Sequence, residues 1–160
     1  IKIYPNGKRK GFNTDVYGFS NSIKPFLKPI HKKALILGTG GASKAVAYAF
    51  KKLNIEYKFV SRVPNNDNQI SYESLNEELI AETHVIVNCS PIGTSPDVHL
   101  CPSIPYEFLS SNHLLYDLIY NPEETTFLRK GKEKGATIKN GYEMLELQAE
   151  KSWEIWNSKE

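Results

Sequence analysis

The chain has 160 residues, 40% of them hydrophobic and 24% charged, and a formal charge of +2. That is about one domain of chain, able to bury roughly two-thirds of its unfolded surface, and the balance excludes a disordered or fibrous protein. Lysines and arginines are scattered among almost as many carboxylates, so no basic face is left for nucleic acid.

In chain order, Tyr4-Pro5-Asn6-Gly7-Lys8 is turn chemistry. Gly11-Phe12-Asn13-Thr14-Asp15 puts Thr14 or Asp15 ahead of a helical pattern, Phe19, Ile23, Phe26 and Leu27, that should run to about Pro29. Ala34-Leu35-Ile36-Leu37 is a short apolar run ending in glycine, as expected for a parallel strand buried on both faces. Ala42, Ala45, Val46, Ala49, Phe50 and Leu53 then mark a helix. Tyr57 to Ser61 is a second strand, residues 63–68 a polar loop, Tyr72 to Leu79 a weak helix and His84 to Asn88 a third strand. A loop rich in Pro and Ser fills 90–105. Leu114 to Asp117 predicts a strand, Glu123 to Lys134 a helix, Ala136 to Ile138 a short strand, and Tyr142 to Trp156 a closing helix. Strands alternating with helices define an α/β chain of Rossmann type, three layers around a doubly wound, mostly parallel sheet.

Cys89 and Cys101 have no ligand spacing, and His31, His84, His99 and His113 are dispersed, so we expect no metal and reduced thiols. No apolar run approaches the roughly eighteen residues of a membrane span, and no signal peptide is visible; a cytoplasmic protein without membrane contact is expected. The chain opens on Ile1, and Lys2 to Lys10 reads as interior sequence. A piece of a longer chain is expected.

The first strand runs straight into Gly38-Thr39-Gly40-Gly41-Ala42-Ser43 and a helix. A pyrophosphate needs this combination: a tight turn, backbone that can come close, and open N–H groups at a positive helix end. Ser43 stands where a third glycine is usual and is still small enough for helix to pack on strand. The second strand ends at Ser61-Arg62, about twenty residues on, where an NAD site places a carboxylate for the ribose hydroxyls. Here the position is basic. A guanidinium pairs with a 2′-phosphate, so NADP(H) is favoured over NAD, although Arg62 alone would also serve as a solvated surface charge. The missing acid also argues against an S-adenosylmethionine site.

Several motifs then fall in order: Gly11-Phe12-Asn13-Thr14-Asp15-Val16-Tyr17-Gly18, the turn at Gly38, Val60-Ser61-Arg62, Val87-Asn88-Cys89-Ser90-Pro91-Ile92-Gly93, Tyr116-Asp117-Leu118-Ile119-Tyr120-Asn121-Pro122, and Asn140-Gly141-Tyr142-Glu143-Met144-Leu145 with Gln148. Together they resemble the shikimate dehydrogenase family over nearly the whole chain. The resemblance implies an NADPH-dependent, reversible reduction of 3-dehydroshikimate to shikimate on the route to aromatic amino acids. It implies that 1–160 form the NADP-binding Rossmann domain of a two-domain enzyme, with a helix near 142–157 returning toward the substrate cleft. The missing partner is the amino-terminal substrate domain of the same chain, which carries the catalytic lysine; alone, the fragment should be inactive.

By motif, Asp15 becomes the acidic half of a Lys and Asp pair at the reacting carbon, with Tyr120 and Gln148 on the substrate. Leu118, Gly141 and Met144 fall to the cofactor's nicotinamide end. Read without the resemblance, Asp15 is equally a helix cap, Met144 a core residue and Gln148 a surface one. One departure stands out: the family's Asn-Arg-Thr with a further basic residue is replaced by Ser61-Arg62-Val63-Pro64 followed by Asn and Asp. A phosphate clamp is missing, which keeps mixed NAD and NADP use, and a quinate/shikimate dehydrogenase, open as alternatives. A cofactor-sensing module without chemistry is the third.

Overall fold

A computed structural model describes residues 1–158. Two short strands, β1 (Lys2–Ile3) and β2 (Arg9–Lys10), form an antiparallel ladder outside the main sheet. Helix α1 (Asp15–Ile23) follows and passes into a 3₁₀ turn over Lys24–Phe26, short of the expected end near Pro29. Pro25 explains the difference, because it lacks the N–H that would continue the helical hydrogen-bond ladder.

The main sheet has six strands, all parallel, in the order β5-β4-β3-β6-β7-β8. Its centre is β3 (Lys33–Leu37), followed by α2 (Gly41–Lys52) and β4 (Glu56–Ser61). Next come β5 (Gln69–Ser71), α3 (Glu77–Glu82) and β6 (Val85–Asn88). The carboxyl half adds β7 (Leu114–Asp117), α4 (Thr126–Glu133), β8 (Thr137–Lys139) and α5 (Tyr142–Asn157).

Side chains alternate across the pleat and build two cores. Ala34, Ile36, Val85, Val87, Leu114 and Tyr116 face one way, against Phe19 and Ile23 of α1, Val46 and Phe50 of α2, and Met144 of α5. Leu35, Leu37, Ile86 and Leu115 face the other, against Ile80 of α3 and Phe127 and Leu128 of α4. Helices therefore cover both faces, giving the three layers that near-continuous apolar strands require. Phe19 is fully buried and meets Phe50 and Tyr116 edge-on, with ring centroids 5.4 and 5.0 Å apart.

Differences from the sequence expectation sit at element ends. The weak helix over Tyr72 to Leu79 is two pieces, a 3₁₀ turn at Tyr72–Ser74 and α3, whose cap is Asn76 accepting from the Leu79 amide. The strand β5 was hidden because three residues cannot establish a period. Helix α4 starts at Thr126, later than Glu123, since the Thr125 hydroxyl caps it through the Leu128 amide. No helix among the described residues is long and apolar enough to cross a membrane.

Candidate cofactor and substrate site

Strand order reverses between β3 and β6, so the loops leaving their carboxyl ends diverge and open a crevice, the usual ligand position in such sheets. Gly38 begins the turn with φ at +104°, a left-handed conformation that side chains disfavour. Its amide donates to the Val60 carbonyl at 2.9 Å. A Cβ there would meet the Ser90 nitrogen at 3.4 Å, so the turn lies close against the loop leaving β6.

Gly40 precedes α2, and no side chain caps the helix. The Ser43 hydroxyl instead donates back to the Gly40 carbonyl at 2.6 Å, and open space surrounds the Cβ positions of Gly40 and Gly41. Uncapped donors at a positive helix end with room in front of them suit an anion.

Three hollows run along this edge of the sheet. The first, about 400 Å³, is lined by Gly38, Thr39, Gly40, Ser61 and Arg62, with Tyr72 and the Cys89–Ile92 loop. The second, about 520 Å³, shares Cys89, Ser90 and Pro91 with the first and adds Ala42, Thr94, Leu118 and Tyr120. The third, about 190 Å³, shares Ala42, Leu118 and Tyr120 with the second, and gathers Asp15, Gly141, Met144 and Gln148. Residues far apart in the chain thus line three adjoining hollows that share lining residues. Of the turn residues singled out from sequence, Gly41 and Ser43 line none of the three; both lie in the first turn of α2.

The third hollow is built by a helix crossing. Helix α1 packs on α5, and a Cβ on Gly18 would stand 2.6 Å from the Met144 carbonyl oxygen. Gly141 is equally constrained, since a Cβ there would overlap the Leu118 carbonyl. Asp15 is not the cap of α1. That work falls to Asn13, whose Oδ1 accepts from the Asp15 amide at 3.0 Å and the Val16 amide at 3.4 Å. The half-buried Asp15 carboxylate consequently has no hydrogen-bond or ion partner among the described residues. Gln148 is also half-buried, one turn beyond Met144. Tyr120 is exposed, edge-on to Tyr142 at 6.5 Å.

At the opposite end of this run of hollows, Arg62 is exposed and makes no hydrogen bond or ion pair among the described residues. The Ser61 hydroxyl is occupied locally, donating to the Val63 carbonyl and accepting from its amide, both at 3.2 Å.

Sequence reasoning assigned no role to the residues beneath these loops. Asp117 is fully buried at the end of β7. Its Oδ1 accepts from Asn88 Nδ2 at 3.1 Å and the Ile119 amide at 3.0 Å, and its Oδ2 accepts from the Thr125 hydroxyl at 2.6 Å. Asn88 in turn accepts from the Ser90 amide and hydroxyl and donates to the Ile92 carbonyl. Burial raises the Asp117 carboxyl to about 6 against the pull of these hydrogen bonds. The network ties the loops after β6 and β7 to the start of α4. Asn88 and Asp117 stood inside two of the quoted motifs, but their pairing spans 29 residues and is invisible to local spacing. Burial likewise pushes the Cys89 thiol up, away from reactivity.

Turn, crevice and basic residue after β4 define a dinucleotide-binding α/β domain. No family model matches the chain. It is 32% identical over 174 residues to the shikimate dehydrogenase (NADP(+)) of Desulforamulus reducens, aligning over 94% of this chain and 58% of that one. A chorismate mutase/shikimate 5-dehydrogenase fusion protein from Clostridium acetobutylicum has a TM-score of 0.82 at 34% identity, covering 98% of this chain and 59% of its own. Shikimate 5-dehydrogenase from Thermus thermophilus, solved in complex with NADP(H) and shikimate, scores 0.77 at 31% identity, over 92% and 57%. Over nearly its whole length the chain is similar to shikimate dehydrogenases, and it spans about three-fifths of the length of these relatives.

Proposed function

We propose that this chain is the NADP(H)-binding domain of a shikimate dehydrogenase, which reduces 3-dehydroshikimate reversibly to shikimate. The observation that carries the reading is the run of adjoining hollows, from the glycine turn and Arg62 to the one holding Asp15, Tyr120 and Gln148. A relative of the same fold was solved with NADP(H) and shikimate together, which supports the assignment.

The residues present suit the cofactor. The Gly38 turn and the uncapped start of α2 would hold the pyrophosphate, Arg62 the 2′-phosphate, and Leu118, Gly141 and Met144 the nicotinamide end. When bound, the nicotinamide supplies the hydride. The carbonyl oxygen that becomes an alkoxide needs a proton, and Asp15 lies in the hollow without a competing partner. In this reading it shares that proton transfer with a lysine from the substrate domain. Gln148 and Tyr120 hydrogen-bond ring hydroxyls and the carboxylate region, while Met144 and Leu118 keep water from the reacting carbon.

The test is turnover by the full-length protein. Asp15→Asn should lower kcat roughly 10²- to 10⁴-fold with 3-dehydroshikimate and NADPH, while leaving NADPH affinity unchanged. Unaltered turnover would remove Asp15 from the chemistry and favour a cofactor-sensing module. Parallel assays with quinate separate the two dehydrogenase readings.

A further inference from the structure

The sequence leaves the 2′-phosphate with one guanidinium, yet the groove beside Arg62 holds a second polar group. Tyr72 stands on the 3₁₀ turn after β5, the strand hydrogen-bonded to β4, so the chain brings it back alongside Ser61 and Arg62. Register pairs Ser61 with Ser71, its immediate neighbour.

The ring is half-buried, packed against the core that contains Val60 and Leu75, and it lines the same hollow as Arg62 and the glycine turn. Its hydroxyl has no hydrogen-bond partner among the described residues, and no buried polar side-chain atom among them lacks one, so the hydroxyl is open to solvent on a residue that lines the groove. Burial raises the phenol, against the pull of the Arg62 charge, so it keeps its proton. A phenol that keeps its proton is a neutral donor, able to meet an anion already paired with Arg62.

We propose that Tyr72 is a specificity-determining residue, its hydroxyl donating the second hydrogen bond to the 2′-phosphate of NADP(H) in place of the absent basic side chain. This rests on the NADP(H) reading above. A contact made only by the 2′-phosphate strengthens NADPH without touching NADH, so it acts on cofactor choice and leaves the chemistry alone.

The experiment titrates NADPH and NADH into the full-length protein as wild type, Tyr72→Phe and Arg62→Ala, with thermal midpoints confirming that each variant is folded. Tyr72→Phe should weaken NADPH about tenfold, the size of a hydrogen bond to a charged group, and leave NADH unchanged. Retention of NADPH affinity, or an equal loss for both cofactors, overturns the proposal, the latter placing the ring against adenine. If Arg62→Ala loses the NADPH preference and Tyr72→Phe keeps it, the cofactor reading stands and Tyr72 falls. A wild type that binds neither cofactor overturns both.

Discussion

The two ends of the sheet each carry a hollow, and they differ in what their charges do. At the amino end, a recess lined by Lys33, Glu56, Tyr57, Lys58 and Glu82 contains an ion pair, Lys33 with Glu82 at 2.6 Å. Nearby polar groups are equally engaged. His113 Nε2 lies 3.0 Å from the Ile80 carbonyl, and His31 Nε2 lies 3.1 Å from the Asn112 carbonyl. At the carboxyl end, Arg62 and Asp15 have no such partners, and the first turn of α2 is uncapped. Concavity alone therefore does not mark a site. Groups whose interactions are complete hold the fold, and groups left incomplete at a prepared surface are available to a ligand.

The contrast extends to two aspartates at the carboxyl end itself. Asp15 is half-buried and unpartnered, Asp117 fully buried and hydrogen-bonded three times. The largest expected effect is the loss of turnover in Asp15→Asn described above, with stability unchanged. Next, Asp117→Ala should cost about 3 kcal/mol of folding stability, because Asn88, Thr125 and the Ile119 amide lose a buried acceptor together. Urea denaturation measures it, and a loss under about 1 kcal/mol would demote the network to a bystander. If the two substitutions exchanged their effects, the division between chemistry and scaffold would be wrong.

Smaller effects separate the ends by pH. Burial lowers the imidazole pKa of His31 and His113 below 6.5, so the unfolded chain takes up protons first on acidification. Stability from these histidines is whole above pH 6.5 and lost as pH falls through their folded values. Asp117 works in the opposite sense. Its carboxyl is raised from 3.8 to about 6, so its contribution is whole below 3.8 and lost as pH rises through about 6. Thermal midpoints between about pH 7 and pH 4 should therefore fall more steeply in Asp117→Asn than in wild type, and less steeply in His113→Gln. The smallest expected effect is none: Lys33→Ala should leave NADPH affinity unaltered, since its recess is not the site.

Much of this was legible in the chain because the signals are local. Ala34 to Leu37 running into glycines specifies strand, turn and helix within a few residues, and Arg62 follows at the distance that one helix and one strand impose. What escaped depends on contacts between distant segments. Thr14 occupies the cap position of α1, as expected, but the side chain that accepts from the first amides is that of Asn13, a choice among adjacent polar residues made by backbone geometry. Tyr72 read as part of a weak helix because β5 has only three residues. Asp117 looked like the end of an apolar strand, its partners lying 29 residues before it and on the loop and cap that follow.

On the proposed reading, NADP(H) occupies the carboxyl edge of this sheet. Amide hydrogen exchange of the full-length protein with and without NADPH tests it directly. Slowed exchange is expected over Gly38–Ala42, Ser61–Arg62 and Ser90–Ile92, with none over Glu77–Glu82. Protection confined to that other end, or no protection at the glycine turn, would contradict it.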